Sequence, residues 1–188
     1  MIDFKHYAKS ATRTESVIQS IAMSPKRLEA ALNLAVFVSD VLDMVKKEIF
    51  YGKKMSDESV ATSTLMIEDC LADLLEDNGD AEPTVYDERI TRTLHGAIGK
   101  FTEAGEVITA VDNVLFGKVA ELDVVNIAEE LGDDAWYSAI ICDALDIDME
   151  DALRKNINKL KARYPDKFTA EAALTRNLDF ERSILEAK

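Results

Sequence analysis

Residues Leu94-His-Gly-Ala-Ile-Gly-Lys-Phe-Thr-Glu-Ala-Gly-Glu106, with their continuation to Phe116, decide the fold. Leu94, Ile98, Phe101, Ile108, Val111 and Leu115 recur at helical intervals, which predicts one long helix from about Tyr86 to Phe116 with these residues as its core stripe and Gly117 as its stop. Another side of the same helix carries Gly99, Glu103, Glu106, Ala110 and Asn113, a strip of small and polar residues. A second helix is expected from about Asp123 to Asp146, and it repeats one detail of the first. Glu103-Ala-Gly-Glu106 and Glu130-Leu-Gly-Asp133 each hold two carboxylates at i, i+3, with a glycine just before the second. Within a helix such a pair shares one side, with Cβ atoms about 5–6 Å apart.

A lone pair of acids at this spacing is ordinarily a solvated face. Here both pairs stand among apolar residues, Phe101 and Val107 beside one and Leu131, Trp136 and Ile140 beside the other. A single turn region joins the two helices, so they can pack antiparallel and bring four carboxylates together. Gly105 and Gly132 interrupt helix interiors, each at a cost of about 1 kcal/mol relative to alanine, which points to the close approach of a backbone or a ligand. Four converging carboxylates require cations. Hard divalent ions take oxygen ligands, and Mg²⁺ binds few carboxylates plus substrate phosphates. Such ions neutralise phosphate charge and lower the pKa of a bound water, chemistry suited to water attack on a polyphosphate.

The rest of the chain reads as helix as well. The expected segments are residues 3–21, Lys26 to Phe50 stopped by Tyr51-Gly52, Ser56 to about Leu75, a helix capped by Asp148 and ending at Tyr164-Pro165, and a last one from Thr169 through Leu185. Residues 76–83 are the clearest linker. Seven Gly, three Pro and few alternating β-branched runs agree with an all-α fold, a helical bundle in a single domain spanning residues 1–188. Within it, 1–80 form an N-terminal helical half and 86–188 a catalytic half. The first half resembles a worn copy of the second: Leu28-Glu-Ala-Ala-Leu32 lies over Leu94-His-Gly-Ala-Ile98, and Ile49-Phe-Tyr-Gly-Lys53 over Leu115-Phe-Gly-Lys118. In this degenerate repeat Phe37 stands at the place of Glu103 and Ser39 at that of Gly105, leaving only Asp40.

Composition bounds the partners. The chain has 22 Lys and Arg against 36 Asp and Glu, a net charge of −14, which argues against non-specific binding to nucleic acid or to an anionic membrane. Charge interrupts every apolar run before the ~20 residues of a bilayer span, and the N-terminus lacks a signal-peptide core, so a cytoplasmic location is expected. Cys70 and Cys142 have no metal-ligand spacing and are expected as buried free thiols. His6 and His95 have no partner pattern.

The acid pairs and their surroundings resemble the MazG-like all-α nucleoside triphosphate pyrophosphohydrolases of phage and bacterial type, a superfamily that includes dimeric dUTPases and phosphoribosyl-ATP pyrophosphohydrolase. The similarity runs through residues 94–106, Asn126-Ile-Ala-Glu-Glu-Leu-Gly-Asp-Asp-Ala-Trp-Tyr137, Lys155-Asn-Ile-Asn-Lys-Leu-Lys-Ala-Arg-Tyr-Pro165 and the tail Arg176-Asn-Leu-Asp-Phe-Glu-Arg-Ser-Ile-Leu185. The early Tyr7-x-x-x-Ala11-x-Arg13-Thr14 is similar to the phage-type branch. The resemblance implies hydrolysis of a (deoxy)nucleoside triphosphate between the α and β phosphates, giving the monophosphate and pyrophosphate for nucleotide pool control. It implies Glu103, Glu106, Glu130 and Asp133 as catalytic Mg²⁺ ligands, with Mn²⁺ able to substitute, and Lys155, Asn156, Lys159 and Arg163 as phosphate contacts. Trp136 and Tyr137 could stack on a base, although packing is the commoner role of such residues. A homo-oligomer, dimer or tetramer, is also implied, while the extra residues 20–88 could replace or modify a subunit interface. Two other readings stand beside this one. The first is a dUTPase or phosphoribosyl-ATP hydrolase on the same scaffold; the second is a non-catalytic helical interaction protein whose acids are remnants.

Overall fold

A computed structural model describes residues 3–76 and 82–187. Eight α-helices account for most of the described residues: α1 (Phe4–Ala11), α2 (Pro25–Tyr51), α3 (Asp57–Leu75), α4 (Glu88–Leu115), α5 (Val124–Ala144), α6 (Met149–Arg163), α7 (Ala170–Leu174) and α8 (Leu178–Glu186). The only β pairing among these residues is an isolated bridge, Ile21 with Thr84. The all-α expectation holds. Of the expected linker, residues 77–81 lie outside the described residues.

Side-chain caps set most of the helix starts. Asp3, Ser24, Ser56, Asp87, Asp123, Thr169 and Asn177 each accept a hydrogen bond from a backbone N–H of the first turn they precede, and Asp148 accepts one from Asp151 at 3.1 Å. These caps satisfy donors that have no partner within the helix. Pro25 occupies the first turn of α2, where its missing N–H is harmless. Gly52 and Gly117 end α2 and α4 with φ of 68° and 70°. Those left-handed backbone angles favour glycine.

Two expected helices are corrected. The first ends at Ala11 rather than Ile21: the chain tightens into a 3₁₀ turn at Thr12–Thr14, where the indole of Trp136 holds the Ala11 carbonyl and the Thr14 hydroxyl. The last is two helices, broken at Thr175–Asn177. Thr175 returns its hydroxyl to Glu171 at 2.7 Å and Asn177 caps a new start.

Contacts divide the chain into two compact units, 1–19 with 86–154 and 20–85 with 155–188. In the first unit α4 and α5 pack along their length. Successive pairs run in opposite directions from Arg89 with Ala144 through Arg92 with Asp143 to Lys100 with Asp134, so the helices are antiparallel. Their contact is made through small residues. A Cβ on Gly96 would come within 2.5 Å of Ile141, and one on Gly99 would enter the ring of Tyr137. Gly105 and Gly132, expected to mark such an approach, instead face open space. The expected core stripe of α4 is also corrected: Ile98, Phe101, Ile108, Val111 and Leu115 are exposed, Ile98 at 47% and Leu115 at 71%, because the small-residue side faces α5. The core lies on α5, where Ala139 and Ile140 are fully buried. The thiols of Cys70 and Cys142 are free and buried, as expected.

The α1 segment belongs to the same unit. Trp136 of α5 donates from its indole nitrogen to the Ala11 carbonyl at 3.0 Å and to the Thr14 hydroxyl at 3.1 Å. Arg92 of α4 forks onto Glu15 and also reaches Asp143. In the second unit, α2 pairs with α3, and Lys26 at the start of α2 bridges Asp73 and Glu76 at the end of α3. Arg163 holds both oxygens of the buried Glu181, and Arg176 adds a third contact at 2.8 Å.

Candidate metal centre

Helical spacing puts Glu103 and Glu106 on one side of α4, and the antiparallel packing puts Glu130 of α5 opposite them. One oxygen from each of these three carboxylates lies within 4.8 Å of the others. Glu130 is 5% exposed, Glu103 half-buried and Glu106 open to solvent. Asn126, one turn ahead of Glu130, donates to its Oε1 at 2.7 Å and fixes the carboxylate. Burial, a hydrogen bond shared with Glu130 and the charges of Glu106 and Glu130 hold Glu103 above the usual carboxylate range. Carboxylates this close disfavour one another's charged forms.

The donor set fits a hard divalent cation. It consists of oxygen only, carries excess negative charge, is held from two rigid helices, and has one member anchored by a neutral amide. The fourth expected acid, Asp133, is exposed and stands outside this close group, one helical turn beyond Glu130. It is still near: burial of the two tyrosines raises the pKa of the Tyr7 and Tyr137 hydroxyls, and the charge of Asp133 adds to both, after that of Glu103 at Tyr137. Tyr7 donates to the Gly132 carbonyl at 3.3 Å.

The other expected site residues have distinct surroundings. Tyr137 lies against Gly99 and meets Trp136 edge-on, with ring centroids 4.9 Å apart. Glu103 and Asp133 both act on its hydroxyl. Trp136 is tied to the N-terminal segment, and its ring also meets His95, a residue to which spacing assigned nothing. Lys155, Asn156, Lys159 and Arg163 follow one another along the second half of α6. The guanidinium of Arg163 is engaged with Glu181, which is held at about 2 by Arg163 and Arg176. Asn126 was missed by sequence reasoning as a partner of the acids; its spacing four residues before Glu130 is the signal that could have found it.

Fold and site together define an all-α protein with an oxygen-donor cluster suited to a divalent cation. Residues 99–168 match the family model of the MazG nucleotide pyrophosphohydrolase domain, and this region is MazG-like, as the resemblance implied. The match takes in all four acids and the basic stretch of α6. Comparison with curated proteins and with solved structures gave no match. Among the described residues no helix is long and apolar enough to cross a membrane.

Proposed function

We propose that the chain hydrolyses a nucleoside or deoxynucleoside triphosphate between the α and β phosphates, releasing the monophosphate and pyrophosphate, in a role of nucleotide pool control. The observation that carries this reading is the convergence of Glu103, Glu106 and Glu130 inside the MazG-like region. These three residues would hold Mg²⁺, or Mn²⁺ in its place, with Asp133 completing the set of four. The bound ion supplies charge neutralisation of the phosphates and a lowered pKa for a bound water.

The chain's own residues do the remainder. Asn126 keeps Glu130 oriented toward its neighbours. A carboxylate oxygen of the set accepts the proton released as the water oxygen bonds to phosphorus, and the bond to the α–β bridging oxygen breaks. Lys155, Asn156 and Lys159 are proposed as phosphate contacts on the strength of the resemblance. Arg163, committed to Glu181, acts by positioning its helix, and Tyr137 is a substrate contact through its hydroxyl. A homo-oligomer in the cytoplasm, in a phage or bacterial setting, completes the reading.

The test is incubation with each NTP and dNTP plus Mg²⁺ and identification of the products by mass. Monophosphate and pyrophosphate are expected; diphosphate with inorganic phosphate rejects the cleavage position. Glu106→Gln and Asp133→Asn should each lower pyrophosphate release by about 100-fold or more, since even residues behind metal ligands are worth about 10–100-fold. Wild-type turnover in either folded variant would exclude its acid from the site.

A further inference from the structure

We infer that the cavity beside Glu106 receives the nucleoside portion of the substrate, and that Asn113 and Glu121 select bases bearing an exocyclic amino group. The inference rests on the nucleotide reading above and names the part of the substrate which that reading leaves open. The cavity has a volume of about 330 Å³ and lies between the second half of α4, the connection to α5 and the first turn of α5. Small-molecule pockets span about 300–1,000 Å³. Glu106 lines it and is itself a member of the carboxylate cluster, and Asn126 lines it while holding Glu130. A substrate whose phosphates lie on the cluster therefore has its nucleoside within reach of this cavity.

Most polar groups in the wall are already used. The Thr109 hydroxyl donates to the Gly105 carbonyl at 2.9 Å, Asp123 caps α5, and the Asn126 amide serves Glu130. Two side chains remain. The carboxamide of Asn113 is half-buried and has no hydrogen-bond partner among the described residues, while its backbone carbonyl accepts from Lys118 and Val119 and so fixes that wall. Glu121 is exposed and forms no ion pair among the described residues.

An amide offers a donor and an acceptor together and can match the edge of a base, whereas a carboxylate offers only acceptors. Glu121 therefore favours the exocyclic amino groups of adenine, cytosine and guanine over uracil and thymine, whose single N3–H donor is flanked by two carbonyls that repel a carboxylate. This is the same logic by which carboxylates accept from cytosine and amides pair with adenine in nucleic-acid recognition.

Non-hydrolysable α,β-methylene deoxynucleotides of the five bases, titrated calorimetrically in Mg²⁺, test the inference without requiring turnover. At least one amino-bearing analogue should bind tenfold or more tighter than the uracil and thymine analogues. Asn113→Ala and the exposed Glu121→Gln should each shrink that ratio at least threefold while leaving the affinity for Mg²⁺-pyrophosphate unchanged. Equal or tighter binding of the uracil or thymine analogues, an unaltered ratio in both variants, or no analogue binding overturns the assignment. Failure of the hydrolysis assay with selective binding retained would count against the proposed reaction and leave this cavity's role standing.

Discussion

At the residue scale, the four helical glycines of α4 and α5 separate what spacing reveals from what it conceals. The two acid pairs were legible because i, i+3 geometry is local: any helix through Glu103 and Glu106 puts them on one side. Which glycine meets a neighbour is not local. Gly105 and Gly132 stand beside the acids and drew the inference of close packing, yet a Cβ at either meets nothing within 4 Å. Gly96 and Gly99, earlier on α4, carry the contact with Ile141 and Tyr137. The same substitution should therefore have opposite outcomes at the two kinds of position. Gly99→Ala drives a methyl into the Tyr137 ring and should destabilise the protein by about 1–3 kcal/mol, as overpacking does. Gly105→Ala adds only helix propensity and should stabilise by up to about 1 kcal/mol. Urea midpoints measured at constant slope separate the two, and a stabilising Gly99→Ala would show that α4 and α5 are not in this contact.

At the scale of elements, helix starts were readable because Ser, Thr, Asp and Asn announce themselves as caps, while two helix ends were not. Thr12, Thr14 and Thr175 look like tolerable helix residues in isolation, and their hydroxyls turn to preceding carbonyls just as that of Thr109 does inside α4, so nothing local announces the end. The residue just past each break is then held by an ion pair, Glu15 by Arg92 and Arg176 by Glu181. The α1 segment is held by the Trp136 indole, so Trp136→Phe should keep the helix pair and loosen the N-terminus. Two hydrogen bonds are lost at about 0.5–1.5 kcal/mol each. Hydrogen exchange should accelerate at residues 8–15 and stay unchanged in the core of α5; uniform acceleration across α5 would show that the indole supports the whole unit.

The α6–α8 contact carries a pH signature. Glu181 sits at about 2, below its ordinary 4.5, because Arg163 first and Arg176 second hydrogen-bond its charged form. The folded state therefore binds the proton more weakly than the unfolded one. The resulting stabilisation is complete above about 4.5 and declines as pH falls from there toward 2. In Glu181→Gln this part of the acid dependence should vanish, and at pH 7 the variant should unfold at lower urea than the wild type. An unchanged acid limb in thermal melts between pH 5 and 2 would place the sensitivity elsewhere.

For the whole molecule, periodicity identified all-α architecture correctly because a 3.6-residue repeat reports helix whatever the helix packs against. It misassigned the partner of the α4 stripe for the same reason. Ile98, Phe101, Ile108, Val111 and Leu115 form an apolar side that α5 does not cover, and Phe116, next in the chain, is exposed at 73%. A side this apolar on a chain of net charge −14 is more than scattered surface hydrophobics require, and contiguous exposed apolar area marks an interaction surface. If the proposed homo-oligomer forms, a second copy would cover this stripe, and closed two-fold symmetry would place the same side of α4 in both subunits. Sedimentation equilibrium should accordingly give a dimer or tetramer at micromolar concentration. Ile98→Glu with Ile108→Glu puts two charges into that contact, away from the side bearing Gly96 and Gly99, and should shift the protein to monomer while its helical circular dichroism persists. A monomeric wild type, or a double variant whose mass is unchanged, would remove the oligomer from the proposal and leave the apolar side of α4 to another partner.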